Sequence, residues 1–347
     1  MHSSLPEIKV VPLINSSSAP TTTESRRGRH KKTQTASTDI RSPKIQEFIN
    51  SSNLAPNTRK VYERELRRFL TWTDLLWAEI KPRHISQYKA YLMEEARTDK
   101  DKALSKNSIN SAIATLRSFF NWLTQFYPDL MVINPAAGVK FEKIPLLPAQ
   151  SLTEQQVQQI WRVLEYLGET KERDTVLLHI LSHGLRAGEI VSLNVAAFDG
   201  KLLFLADTKT DEPRLVPLRR ESRDVLTSYL ASRELKGEVL TGDRPLLLSH
   251  HNIRKGERLS YHGIYFAIEK IGELAGVPEL HPHSFRHSFA TDLLLQGLDP
   301  SHARRLTGHK SEKAFRRYTL RSEQEAAIAA YYRAIGEMPD EKGSPAW

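Results

Sequence analysis

Residues 281–318 read HPHSFRHSFATDLLLQGLDPSHARRLTGHKSEKAFRRY, and this stretch combines helix signals with reactive side chains. Pro282 suits the first turn of a helix, because the N–H that it lacks would have no partner there. His283 and Arg286 follow on one face of that turn, where unpaired backbone N–H groups favour a phosphate. The adjacent apolar stripe is Phe285, Phe289 and Leu293. The segment therefore predicts a helix whose packing face and charged end come from the same residues.

The second half of this stretch predicts a shorter helix followed by two more reactive side chains. Asp299 and Pro300 are typical of a helix start, and Gly308 is typical of a helix end. His309 then lies just beyond the helix, and Tyr318 follows nine residues later. The predicted order is therefore helix, turn, histidine and tyrosine.

About a hundred residues upstream, Gly184-Leu185-Arg186-Ala187-Gly188-Glu189 adds a second arginine to the set. A phosphodiester is an anion whose charge grows over its oxygens in the transition state, and planar guanidinium forks bind such oxygens well. A phenol, whose ordinary pKa is about 10, becomes a nucleophile where a site stabilises its oxyanion or removes its proton. The combination predicts attack on a phosphodiester by a protein hydroxyl. The residues concerned are Arg186, His283, Arg286, His309 and Tyr318.

Composition narrows the class of protein. The chain has 347 residues, 39% hydrophobic and 26% charged, which is enough for a sizeable core and two ordinary domains. No stretch approaches the roughly 18 apolar residues of a membrane span, and the N-terminus lacks a secretory signal, so we expect a cytoplasmic protein. The absence of cysteine excludes disulfides, thiol nucleophiles and cysteine-bound zinc. The formal charge of +9 favours a polyanionic partner.

The chain divides by composition into five parts. Residues 1–43 are rich in Ser and Thr with a basic cluster, and predict a disordered tail that is either simply solvated or a phosphate-binding arm. A helical pattern over residues 44–137 is followed by a Pro-rich linker over 138–150. A capping box restarts the pattern in a second domain, residues 151–336, which contains a predicted hairpin of two short β-like runs. Residues 337–347 predict a flexible tail.

The helical first domain carries basic residues beside its apolar stripes. Charge-rich helix faces are most often only solvated, so these basic residues alone are weak evidence for DNA contact. They are candidates because the rest of the sequence predicts a phosphodiester substrate. The candidates are Arg59, Lys60, Arg64, Lys106 and Arg117.

Taken together, these motifs resemble the tyrosine recombinases, or phage-type integrases, over residues 43–334. The resemblance depends on five separated elements in the family's order: Gly184-Leu185-Arg186 with Glu189, Lys209, His283-x-x-Arg286-His287, Leu306-x-Gly308-His309, and Tyr318. It implies a mainly α fold with a small β-sheet, in a Xer-like two-domain plan. The first domain would be a SAM-like helical core-binding domain, and the second a mixed α/β catalytic domain.

The resemblance also implies roles. Tyr318 attacks the scissile phosphate, forms a 3′-phosphotyrosyl bond and frees a 5′-hydroxyl, while Arg186 and Arg286 hold the non-bridging oxygens. Lys209 is the general acid for the leaving oxygen, and His283 helps to transfer the tyrosine proton.

His309 would donate a hydrogen bond to the phosphate, and Glu189 would orient the arginine and histidine. The phosphotyrosine keeps the bond energy, so neither metal, ATP nor another cofactor is needed. The implied partner is double-stranded DNA at the nucleoid, bound by a homotetramer on two sites with a dimer at each, with or without an accessory or partner recombinase.

Several alternatives stay open at this point. Lys209 lacks the flanking glycines common in the family, which leaves Lys201 as a second candidate. A metal cluster of His281, His283 and His287 is disfavoured because Arg286 between them would repel a cation. Tyr331 and Tyr332 are rival tyrosines at the wrong spacing. A DNA-binding accessory protein and a type IB topoisomerase share parts of the pattern.

Overall fold

The computed structural model describes residues 40–99, 101–206 and 213–337. Lys209 lies outside the described residues, as do residues 1–39 of the predicted tail and residues 338–347. The chain splits into two compact units between Ile144 and Pro145. No helix or strand is present in residues 127–153, between the last helix of the first unit and the first helix of the second.

The first unit is a helical bundle around an aromatic core. Its helices are α1 (Ser42–Ser51), α2 (Pro56–Trp72), α3 (Pro82–Glu94) and α4 (Lys106–Phe126). Proline in the first turn starts α1, α2 and α3, and the Ser105 hydroxyl caps α4 by accepting from the Ser108 N–H at 3.1 Å. Buried rings fill the centre, in stacked, edge-on and tilted contacts: Phe48, Phe69, Trp77, Tyr88, Phe119 and Phe120.

The end of the predicted N-terminal tail is wrong by a few residues. Arg41, inside the predicted tail, is buried, and its guanidinium donates to the carbonyl oxygens of Thr73, Leu75 and Leu70. Helix α1 begins at Ser42. A buried guanidinium needs such acceptors, and no local pattern in the tail reveals carbonyls about thirty residues away.

The second unit holds the remaining elements. They are α5 (Glu154–Val163), α6 (Lys171–Leu181), α7 (Ala187–Ser192), β1 (Leu202–Leu205), β2 (Arg214–Pro217), α8 (Arg220–Leu235), α9 (Tyr261–Leu274), α10 (Pro282–Leu295), α11 (Pro300–Thr307) and α12 (Glu312–Ala334). The two strands pair antiparallel, with Leu203 opposite Val216. The Thr153–Gln156 capping box forms as predicted, because each side chain accepts from the other residue's N–H.

Two apolar clusters stabilise the second unit. The larger one gathers buried side chains from α5 to α9 and from the hairpin. The smaller one joins α10, α11 and α12 through Ala290, Leu294, Ala303, Phe315 and Tyr318. Tyr318 is therefore part of a core as well as a candidate nucleophile.

None of the helices within the described residues has the length and apolar character of a membrane span.

Candidate active site

Arg186 lies at the N-terminus of α7 and holds two separate segments together. Its guanidinium donates to Glu189 Oε1 at 2.6 Å and to the Gly308 carbonyl oxygen at 2.6 Å, and its backbone N–H donates to Glu189 Oε2 at 2.8 Å. The Glu189 carboxylate thus caps α7 and orients the arginine at once. A guanidinium has five N–H donors, so these contacts leave donors for a phosphate.

Arg214, the first residue of β2, is a second cation on the same carboxylate. It donates to both oxygens of Glu189, at 2.7 and 2.9 Å, in a two-point fork. Burial works against ionisation of Glu189, but the bonds and charges of Arg214 and Arg186 outweigh it and hold its pKa below the ordinary value. Glu189 is therefore a buried anion shared by two arginines.

Arg286, one turn into α10, is buried and bonded to main-chain carbonyls. It donates to the Gly184 oxygen at 2.5 Å and to the Thr307 oxygen, which connects the start of α10 to the segment before α7 and to the last residue of α11. Burial, reinforced by repulsion from Arg186 and other cations, lowers the pKa of Arg286 to about 9, so the side chain stays charged at neutral pH. Two arginines from distant segments thus converge on one place.

His309 follows Gly308, the left-handed residue that ends α11. Its Nδ1 lies 2.8 Å from the Thr307 hydroxyl, and both ring nitrogens lie 3.4 Å from the Arg286 guanidinium. Burial, with repulsion from Arg286 and Arg186, lowers the pKa of His309 to about 3. The ring is therefore neutral at pH 7 in this cationic site.

Tyr318 lies in the second turn of α12, within the smaller apolar cluster. Its ring centroid is 5.2 Å from that of His309, and its hydroxyl lies 2.8 Å from Nδ1 of His287. Burial raises the pKa of the phenol, while the charges of Arg286, Arg317 and Arg186 oppose that rise. The phenol is thus protonated at neutral pH and surrounded by groups that would stabilise its anion.

The remaining predicted residues of the site occupy different positions. His283 is exposed at the start of α10, with its ring centroid 6.3 Å from that of His287. Lys201 is exposed just before β1. Among the described residues, no group of three His, Cys, Asp or Glu side chains comes together as a metal site, and the histidines of α10 are no exception.

The candidate DNA-contacting residues of the first unit are of two kinds. Arg59, Lys60 and Arg64 are exposed on α2, and Lys106 is exposed at the start of α4. Arg117 is half-buried, donates to the carbonyl oxygen of Val139 at 2.7 Å and stacks on a phenyl ring, so it stabilises the segment after α4. The first kind has the exposure that contact with a polyanion requires.

A comparison with known protein families identifies the family to which the chain belongs. The Phage integrase family matches residues 150–325, and the Phage integrase N-terminal SAM-like domain matches residues 43–126. The chain belongs to the phage integrase family.

The individual proteins most similar to this integrase in the comparison include tyrosine recombinases. It is 30% identical over 79% of its length to tyrosine recombinase XerC of Listeria welshimeri, covering 91% of that protein. It is 28% identical to tyrosine recombinase XerC of Thermodesulfovibrio yellowstonii, over 79% of this chain and 90% of that one. The predicted family and its recombinase function are confirmed, and the integrase is an enzyme that cleaves and rejoins DNA.

Solved structures share its fold. XerH recombinase bound to palindromic difH substrate superposes with a TM-score of 0.62 at 19% identity, over 83% of this chain and 88% of that one. A lambda integrase dimer bound to a COC′ core site gives 0.61 at 16% identity, over 80% and 76%. The predicted fold class, a SAM-like helical domain followed by a mainly α catalytic domain with a small sheet, is confirmed.

Two residues of the integrase site were missed from sequence. Arg214 lies two residues before buried Val216 and therefore on the same face of β2, and that period of two is the signal that could have placed a charged residue on the inner face of the strand. His287 lies one turn after His283, and the sequence motif assigns it no role of its own in the site. Its contact with Tyr318 joins α10 to α12, and no local pattern predicts such a contact.

Proposed function

We propose that this integrase breaks and rejoins double-stranded DNA with Tyr318 as nucleophile, through a 3′-phosphotyrosyl bond, and without metal or ATP. The observation that carries the proposal is that the Tyr318 ring lies 5.2 Å from the His309 ring and that the charges of Arg286 and Arg186 act on its phenol. A scissile phosphate placed among these cations would have its growing charge stabilised by groups that are already in position. The packing of α10, α11 and α12 then brings the attacking oxygen of Tyr318 close to Arg286 and His309.

In this mechanism, Arg186 and Arg286 bind the non-bridging oxygens, and Glu189 orients Arg186. His309 donates to the phosphate from a ring N–H. Lys209, which lies outside the described residues, is the general acid for the 5′-oxygen in this proposal, as the resemblance to the family implies. Phosphate binding adds the negative charge that this cluster of cations lacks.

The assembly proposed is a tetramer on two DNA sites, with a dimer at each site. It is supported by the lambda integrase relative, whose structure is a dimer on a core site. Residues 44–137 form the core-binding domain in this proposal, with Arg59, Lys60, Arg64 and Lys106 facing the DNA backbone, and Arg117 beside them. We expect the enzyme to work at the nucleoid, alone or with a partner recombinase.

The test begins by locating the DNA site. Covalent complexes trapped with SDS on host genomic DNA, sequenced at their tyrosine-linked 3′ ends, identify it, and a nicked duplex of that sequence becomes the suicide substrate. We expect Tyr318→Phe to form no covalent adduct, since its ring lacks the attacking oxygen. Tyr331→Phe, which alters an exposed tyrosine of the same helix, should form the adduct at the wild-type rate.

The metal requirement is tested with the same substrate. Adduct formation should be unchanged in EDTA, because the arginines supply the positive charge that a metal ion would otherwise provide. Strict dependence on a divalent cation, or an adduct formed by Tyr318→Phe, would contradict the proposed mechanism. Relaxation of plasmids that lack the mapped site would instead indicate a topoisomerase.

A further inference from the structure

His287 makes a direct contact with the proposed nucleophile. Its Nδ1 lies 2.8 Å from the Tyr318 hydroxyl, and the two ring centroids are 5.5 Å apart. Helix α10 fixes the histidine next to Arg286 and one turn beyond His283, and α12 fixes the tyrosine. The pair therefore depends on the packing of two helices that also form the smaller apolar cluster.

The charge state of His287 is set by its surroundings. Cationic and titratable side chains face it from α10, from the residue before α10, from the loop after α11 and from α12: His283, Arg286, His281, His309, Arg317 and Tyr318. Burial, together with repulsion from Arg317 and the neighbouring histidines, lowers the pKa of His287 to about 4. The imidazole is thus neutral at pH 7, and Nδ1 has a lone pair that can accept the phenolic hydrogen.

We propose that His287 is a catalytic residue that takes the proton of Tyr318 as the phenolic oxygen attacks the scissile phosphate. This inference rests on the proposed function. The resemblance to the family gave the proton transfer to His283, which is exposed at the start of α10. Hydrogen-bond reach to the proton that is transferred is the first requirement for a general base, and His287 meets it.

The step balances in both directions. In cleavage, the O–H bond of Tyr318 breaks and an N–H bond forms at His287 Nδ1. The phenolic oxygen bonds to phosphorus, the bond from phosphorus to the 5′-oxygen breaks, and that oxygen takes a proton from Lys209. In ligation the 5′-hydroxyl attacks the phosphotyrosine, returns its proton to Lys209, and the departing phenolate recovers its proton from His287.

The cationic surroundings explain why this base works when DNA is bound. Without a phosphate, a protonated His287 would add one more positive charge to the cluster. A bound phosphodiester brings negative charge close to that cluster, which makes the imidazolium less costly at the moment of attack. The His287 imidazole therefore stays unprotonated before DNA binds, and it can accept the Tyr318 proton throughout the neutral pH range.

The test compares His287→Asn with His251→Asn in single-turnover cleavage of the nicked duplex. The Asn side-chain oxygen can take the place of Nδ1 as a hydrogen-bond acceptor, but it cannot take up the proton. We expect His287→Asn to cleave at least about 100-fold more slowly at pH 7, the usual range for general-base catalysis. His251 is exposed, and its variant should cleave like the wild type.

A pH profile separates a base from a structural role. In His287→Asn, attack depends on spontaneous ionisation of Tyr318, so its rate should rise about tenfold per pH unit below the phenol pKa. Wild-type cleavage should stay nearly flat above the pKa of His287, and the deficit of the variant should therefore shrink between pH 6 and pH 9. A constant deficit across this range would overturn the proposal.

A modified substrate separates the base from the acid. In a duplex with sulfur replacing the bridging 5′-oxygen, the leaving thiolate needs no proton. Lys209→Ala should then regain most of its rate, whereas His287→Asn should not. Rescue of His287→Asn by sulfur, or a wild-type rate on the normal substrate, would overturn the proposal.

Folding and the wider proposal have their own controls. Circular dichroism and DNA affinity should match the wild type in His287→Asn. If this variant does not fold, His287→Ala assayed with added imidazole replaces it, and rescue that increases with pH supports the base role while its absence contradicts it. A wild-type protein without a Tyr318 adduct would instead contradict the proposed function itself.

Discussion

At the residue scale, Glu189 is a buried carboxylate bound by two guanidinium groups. Arg186 must be held for catalysis in the proposed mechanism and its side chain is 19% exposed, whereas that of Arg214 is 9% exposed. Because Glu189 accepts from both, neither cation is left unpaired, and the carboxylate cannot turn away from Arg186. A buried charge is tolerated when hydrogen bonds satisfy it in this way.

We expect Arg214→Ala to lower the free energy of unfolding of the second unit by about 1.5–3 kcal/mol, since hydrogen bonds to a buried charge are lost. Arg214→Lys should lose less, because it keeps the charge but not the two-point fork. Urea unfolding followed by circular dichroism measures this. Arg220→Ala, at an exposed arginine nearby in sequence, should change the stability by less than about 0.5 kcal/mol.

Cleavage by the Arg214 variants gives a second measurement. If Arg214 positions Arg186 through Glu189, Arg214→Lys should cleave faster than Arg214→Ala under conditions where both are folded.

The stability prediction has its own contradicting outcome. If Arg214→Ala were as stable as the wild type, the fork between Arg214 and Glu189 would contribute nothing to the free energy of unfolding.

At the scale of elements, the described ends of helices and strands follow local signals closely. Pro282 starts α10, Asp299 caps α11 and Gly308 ends it in the left-handed region. Gly308 is also required for space, since a Cβ there would lie 2.6 Å from the Arg214 guanidinium. The turn after α11 thus combines a helix end with the close packing of the site.

Gly184 has the same double role before α7. Its φ is +77°, and an added Cβ would overlap the ring of Phe289 on α10. We expect Gly184→Ala to cost at least about 2 kcal/mol of unfolding free energy, from left-handed strain together with overpacking. Thermal and urea unfolding measure the loss.

Gly188 provides the matched control four residues later. It lies inside α7, has no neighbour within 4 Å of an added Cβ, and should gain up to about 1 kcal/mol on substitution by alanine. If Gly188→Ala lowered the unfolding free energy as much as Gly184→Ala, backbone strain and overlap with Phe289 would not explain the cost at Gly184. Any substitution in this motif would then be destabilising.

At the scale of the whole molecule, the two compact units have separate apolar cores. The core of the first unit is built from its own four helices and the segments between and after them, and Trp77 and Trp122 are buried within it. A core made by residues 45–139 alone needs no contribution from residues beyond 144 to exclude water.

We therefore expect residues 40–144 expressed alone to fold with one cooperative transition and a native tryptophan emission. The fragment should bind duplex DNA with an affinity that falls as salt concentration rises, because basic side chains displace condensed counterions. Double substitution of Arg59 and Arg64 by glutamine should reduce that salt dependence. A fragment that unfolds without a transition would contradict an independent core.

The family, the helical plan, the hairpin and the order of the motifs could all be predicted from the amino-acid sequence, because caps, apolar periodicity and motif spacing act over short distances. The sequence also predicted Arg186, Arg286, His309 and Tyr318 as site residues, and the structure brings them together. Which other groups meet across these segments depends on tertiary packing. Arg214 reaches Glu189 from 25 residues away, and His287 reaches Tyr318 from 31 residues away. Such contacts depend on how helices and strands pack, and no spacing along the chain encodes them.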